Sequence, residues 1–333
     1  EMEDNLERRI LGTTGEETVV PGESSIGEVQ YREGMGDRYV DFLIRQVPDA
    51  GFLNGLRVVL DCANGATFQV APAVFKRLGA RVRTICVEPD GTNINHRCGS
   101  EHRERLAEMV VADGFDVGFA FDGDGDRVIA VDERGRTVAG DRMLAICARD
   151  MKRNGELCEN LVVSTVMSNI GLGLALKGLD IQHVTTQVGD RYVLQAMLAR
   201  KACLGGENSG HMIFLNHHTT GDGILAALKI AGIIRTAQAP LSELSTVMEV
   251  FPQRLTNVVV KEKKPIEEIE EIASKVEEVE RRLGDRGRVL IRYSGTQPMC
   301  RVMVEGPSEA EVERSCREIA EVIRAQLSSD EGT

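Results

Sequence analysis

Apolar and polar positions alternate along most of the chain between short extended runs and amphipathic helical windows. Phe115, Val117, Phe119 and Phe121 recur at every second position, which predicts a strand with two distinct faces. Residues 57–60 and 82–87 read as further strands, and 72–78 and 101–112 as helices. That strand–helix–strand–helix–strand order predicts a parallel sheet covered by helices on both faces. A second unit follows, with helix 142–153, strand 161–165, helix 170–177, strand 183–187, helix 191–200 and strand 211–215. The 223–234 window is nearly all apolar and predicts a helix buried in a core.

From Phe251-Pro252 the texture changes. Strand 255–260 leads to a glutamate-rich helix over 265–283, with Ile266, Ile269, Ala273, Val276 and Leu283 as its buried stripe. Strands 288–292 and 301–305 and a helix over 309–327 complete the pattern. The fold class is α/β: two consecutive α/β domains with mixed, mostly parallel sheets, then a small α+β C-terminal domain. The expected domains are 31–138, 139–250 and 251–333, with residues 1–30 as a tail or linker rich in charge, Gly and Ser. Val250 to Pro252 is the expected hinge.

Composition narrows the function. A net charge of −12 argues against nucleic acid or an anionic membrane as partner, so an anionic ligand has to be gripped by local arginines. Eight cysteines without a CxxC pair predict reduced thiols and a cytoplasmic setting. No apolar stretch approaches membrane-spanning length, and no membrane partner is expected.

The densest chemistry lies at Asp122-Gly-Asp-Gly-Asp-Arg127, between two apolar strand-like runs. Alternate residues of an extended segment point the same way, so Asp122, Asp124 and Asp126 can converge. Three hard oxygen donors without His or Cys suit Mg²⁺. An EF-hand is excluded, because Arg127 stands where its loop requires Gly and the flanks are strands.

Other loops carry weaker signals singly. Gly205-Gly-Glu-Asn-Ser-Gly-His211 offers Glu207, Ser209 and His211 to sugar hydroxyls, although an ordinary turn would look similar. Arg292-Tyr-Ser-Gly-Thr-Gln-Pro298, with Arg301 beyond it, can cradle a phosphate between guanidiniums, hydroxyls and backbone N–H groups. Asp190 and Arg191 sit at a strand–helix junction, where a helix start favours anions. The turns at Asp61–Ala66 and Asn93–Asn95 are polar strand ends.

Together, in this order, these loops resemble the α-D-phosphohexomutase superfamily, in its glucosamine branch. The resemblance implies interconversion of glucosamine 6-phosphate and glucosamine 1-phosphate through a phosphoserine and a 1,6-bisphosphate, a step toward amino-sugar nucleotides and cell-wall precursors. It assigns Asp122, Asp124 and Asp126 to Mg²⁺, with Arg127 and His211 as catalytic residues. It gives the phosphosugar substrate to Glu207, Ser209, Asp190, Arg191, Arg292, Ser294, Gly295, Thr296 and Arg301. The acidic, hydroxyl-reading and arginine-bearing segments should then face a common cleft. A homodimer is the candidate assembly.

There are two departures. Gln297 stands where the family usually has Glu, and the family's Ser-His-Asn-Pro phosphoserine loop occurs nowhere in the chain. The expectation is therefore a missing N-terminal domain, weak Mg²⁺ binding and no turnover by this chain alone. The alternatives are a phosphomannomutase or phosphoglucomutase, which would share every loop, and a non-catalytic phosphosugar-binding protein.

Overall fold

The computed structural model describes residues 2–11, 28, 30, 32–49, 51–294 and 297–327. The chain divides into two compact units, residues 1–38 and 39–333. The first holds helix α1 (Met2–Ile10), within the expected tail or linker, and Met2, Leu6 and Ile10 on it are exposed. Helix α2 (Met35–Ile44) runs across the boundary and buries Val40 and Leu43 in the core of the larger unit.

The larger unit opens with β1 (Arg57–Asp61), α3 (Val70–Arg77), β2 (Arg81–Ile85), α4 (Glu104–Ala112), β3 (Val117–Phe121), β4 (Val128–Asp132) and β5 (Thr137–Val138). Their sheet has the order β2-β1-β3-β4-β5. β1 pairs in parallel with β2 and β3, whereas β4 and β5 return antiparallel, so the sheet is mixed. The acidic loop joins β3 to β4 as a hairpin, at the C-terminal end of a strand that is buried on both faces. Helix α4 starts at Glu104 rather than Glu101, because Gly99–Glu101 forms a separate 3₁₀ turn.

Next come α5 (Gly140–Arg153), β6 (Leu161–Thr165), α6 (Ile170–Gly178), β7 (Gln182–Thr186), α7 (Asp190–Arg200), β8 (Leu204–Gly206), β9 (Met212–Phe214), α8 (Gly223–Ala237) and α9 (Leu241–Leu244). The second sheet has the order β7-β6-β8-β9, with only β9 antiparallel. The apolar α8 is a core helix, as its sequence predicts. It packs on β3, β4 and β9, and α5 packs on β4 and β8. One hydrophobic core thus runs from Leu60 and Phe119 of the first sheet to Leu204 and Phe214 of the second. Separate clusters under α4 and α7 cover the opposite faces.

The third sheet, β10-β12-β11, is antiparallel and is built from β10 (Gln253–Val259), β11 (Arg288–Tyr293) and β12 (Met299–Glu305). Helices α10 (Glu270–Leu283) and α11 (Glu309–Leu327) cover one face and form their own core around Val302, Cys316 and Ile319. The expected helix over 265–283 is broken. A 3₁₀ turn at Ile266–Glu268 and an extended Ile269 precede α10, so Ile272 and Val279 take the most buried positions of the stripe. At the junction with the second sheet, Glu305 is fully buried, receives Arg288 Nε at 2.5 Å and accepts from the Ile170 amide at 3.2 Å. Arg288 also donates to the Ser168 carbonyl at 2.5 Å.

Candidate active site

The acidic loop is shaped by its own first carboxylate. Asp122, 3% exposed, accepts from the amides of Gly125 at 3.1 Å and Arg127 at 3.0 Å, and from Arg127 Nε at 2.8 Å. Gly125 has φ +81°, a left-handed turn that costs other residues strain, and here it lets the loop curl back. Carboxylate oxygens of Asp122, Asp124 and Asp126 all lie within 4.8 Å of one another. Asp126 Oδ1 is shielded from water and has no hydrogen bond; the Arg127 guanidinium is 3.5 Å away as an ion pair. Burial works against the Arg127 charge, but Asp122 and Asp126 outweigh it and hold its pKa above the usual value. An oxygen-only set with an unsatisfied buried carboxylate oxygen fits Mg²⁺.

The loop over residues 207–211, which the sequence offers to sugar hydroxyls, is fastened to this acidic loop. Arg127 and His211 form an antiparallel β-bridge, the Val128 amide donates to the Gly210 carbonyl at 3.2 Å, and the Gly223 amide to the Gly125 carbonyl at 2.9 Å. His211 is 4% exposed, and its Nδ1 lies 3.0 Å from Asp126 Oδ2. A Cβ at Gly221 would fall 2.3 Å from the imidazole, so only glycine admits the ring there. Sequence reading missed Gly221, which carries no local signal apart from its place between two turns.

Glu207 reaches the other way. Its Oε1 accepts from the Gly189 amide at 3.0 Å, at the start of α7, and so brings Asp190 and Arg191 beside the same loop. The Arg191 amide donates to the Asp190 side chain at 2.8 Å, and its guanidinium lies 5.9 Å from the Tyr192 ring centroid. Ser209 Oγ is shielded and lacks a hydrogen-bond partner in the described structure. Acidic loop, hydroxyl-reading loop and α7 start are therefore brought together.

The arginine-bearing segment occupies the end of the third sheet. Arg292 and Arg301 face each other directly across β11 and β12, and Arg301 Nε is shielded and has no hydrogen-bond partner among the described residues. Like charges opposite one another are unfavourable unless an anion lies between them. Ser294 is buried, and its carbonyl accepts Lys263 Nζ at 2.5 Å. Gly295 and Thr296 lie outside the described residues. Among the described residues, no hydrogen bond joins this segment to the acidic loop.

The described fold is thus two mixed α/β layers with two loops stitched together, followed by a small sheet bearing opposed arginines. Family models match in the same order: phosphoglucomutase/phosphomannomutase alpha/beta/alpha domain II over residues 37–135, domain III over 139–251 and the C-terminal domain over 255–322. The chain belongs to this phosphoglucomutase/phosphomannomutase family of enzymes. It is 50% identical over 327 residues to a phosphoglucosamine mutase of Syntrophus aciditrophicus, covering 98% of this chain and 73% of the relative. A phosphoglucosamine mutase of Syntrophotalea carbinolica is 49% identical over 322 residues, covering 97% and 70%.

Solved structures share the fold. A phosphoglucomutase/phosphomannomutase family protein of Burkholderia thailandensis has a TM-score of 0.70 at 22% identity, covering 88% of this chain and 66% of its own. An Aspergillus fumigatus N-acetylphosphoglucosamine mutase, solved with GlcNAc-6P and magnesium, has a TM-score of 0.69 at 20% identity, covering 90% and 72%. Among the described residues, no single helix is long and apolar enough to cross a membrane.

Proposed function

We propose that the chain supplies the metal-, sugar- and phosphate-binding groups for interconverting glucosamine 6-phosphate and glucosamine 1-phosphate. The observation that carries this reading is the direct fastening of the acidic loop to the hydroxyl-reading loop through the Arg127–His211 bridge. It sets metal-binding and sugar-binding chemistry side by side, and relatives of about half identity are phosphoglucosamine mutases.

Asp122, Asp124 and Asp126 would hold Mg²⁺, which when bound neutralises and polarises phosphoryl oxygens. Arg127 stands beside them as a second positive charge. His211 orients Asp126, a positioning role that its burial favours over proton transfer to substrate. Glu207 and Ser209 read hydroxyls that exchange places when the sugar reverses, with Asp190 and Arg191 beside them. Arg292, Ser294, Gly295, Thr296 and Arg301 hold the phosphate that is not reacting.

In the reaction, a serine-borne phosphoryl group moves to the free sugar hydroxyl, and the other phosphate of the 1,6-bisphosphate returns to serine. No Ser-His-Asn-Pro loop occurs among the 333 residues, so this polypeptide alone is proposed to bind Mg²⁺ weakly and not to turn over.

Calorimetric titration of the chain in Mg²⁺ with glucosamine 1,6-bisphosphate tests this. Binding should weaken at least tenfold in Asp124→Asn and in Arg301→Ala. Tighter binding of the glucose or mannose bisphosphate would move the assignment to a sister mutase. No binding of any of the three would end it.

A further inference from the structure

We propose that Asp61, Cys86 and Cys98 form a second cation site, for a thiophilic divalent ion of the zinc class. One ligand atom from each residue lies within 4.8 Å of the others. They come from separate segments: the end of β1, the residue after β2, and the residue before the Gly99–Glu101 turn. Asp61 is 1% exposed and Cys98 2%, and Cys86 is half-buried, so two of the three groups are shielded and the cluster is not a solvated acidic face. Two sulfurs and one oxygen select a softer ion than the all-oxygen set of the acidic loop does.

The carboxylate is held in place. Asp61 Oδ1 accepts from the Ala63 amide and Oδ2 from the Gly99 amide, each at 3.0 Å, and the Cys86 thiol also hydrogen-bonds the carboxylate with a proton that a bound ion would replace. Cys86 sits at φ 55°, and its carbonyl accepts the Asn64 amide at 2.7 Å, so the backbone fixes the direction of the thiol.

A divalent ion would displace both thiol protons, giving two metal–thiolate bonds and releasing two protons. The Arg105 charge also faces the group and offsets part of its excess negative charge. A Cβ at Gly99 would lie 2.5 Å from the Phe121 carbonyl, one residue before Asp122. The ion would thus brace the floor of the acidic loop without joining it.

The test is titration of the reduced, chelator-treated chain with Co²⁺ in excess Mg²⁺. Thiolate-to-cobalt charge-transfer absorbance should rise to one equivalent, disappear in Cys86→Ser and Cys98→Ser, and survive in Cys158→Ser. Zn²⁺ should also protect Cys86 and Cys98 of the unmutated chain from alkylation, read by peptide mass spectrometry, a readout independent of how the variants fold. Absence of the band, its persistence in both serine variants, or unprotected alkylation would overturn the site. So would an exclusive Cys86–Cys98 disulfide that, once reduced, binds no Co²⁺.

Discussion

Asn169 and Phe251 pair like two backbone amides on neighbouring strands. Asn169 Nδ2 donates to the Phe251 carbonyl, and Asn169 Oδ1 accepts from the Phe251 amide, both at 3.0 Å. The same side chain caps α6 by accepting from the Gly171 amide at 3.1 Å, and donates to Glu305 Oε1 at 3.0 Å. One amide therefore ties the second sheet to both the entry and the last strand of the third, at the place where the sequence predicts a hinge.

Replacing Asn169 with Ala should remove all four bonds and strand buried groups on Phe251 and Glu305. The expected loss is about 3 kcal/mol in urea unfolding. Hydrogen exchange should quicken first across β10 and β12.

His211→Ala should lower Mg²⁺ affinity by roughly 10- to 100-fold, the range found when a group orienting a metal ligand is lost. The fold should stand, since the β-bridge to Arg127 is made by backbone. Titration of Mg²⁺ by calorimetry reads the change; unchanged affinity would remove His211 from the site.

Arg301→Met should separate binding from stability. It relieves the cross-strand repulsion with Arg292, so unfolding free energy should hold or rise by about 0.5 kcal/mol. Inorganic phosphate affinity should fall at least tenfold.

Two buried groups give opposite pH slopes. Burial raises Asp141 to about 6, so its folded form binds a proton that the unfolded chain releases, and its contribution to stability diminishes as pH rises from about 4 to 6. Burial, then Arg288, lowers His183 to about 4, so its contribution is lost as pH falls from the usual 6.5 toward 4. The two largely cancel in the intact chain. Asp141→Asn should leave the His183 slope exposed, with stability falling more steeply from pH 7 to pH 4.5 than in the unmutated chain.

Local patterning revealed the elements well because most strands are buried runs and most helices have one apolar stripe. β6 and α11 match their expected spans. Misreadings came where glycine served packing rather than turning. Gly205 and Gly206 read as loop but lie in β8, where Cβ atoms would meet Met197 Sδ at 2.6 Å and the His211 carbonyl at 2.4 Å. The acidic loop was legible because its three carboxylates alternate within one short segment. The Asn169–Glu305 contact and the Asp61–Cys86–Cys98 cluster were not, since residues 136 apart, or on three separate segments, share no local signal.

The continuous core shared by the first two sheets means that cutting the polypeptide between β5 and α5 would leave two halves with raw oily surfaces, each insoluble by itself. The third sheet, with a core of its own, is the piece that could be cloned separately, once the Asn169 and Arg288 bonds that hold it to the second sheet are cut.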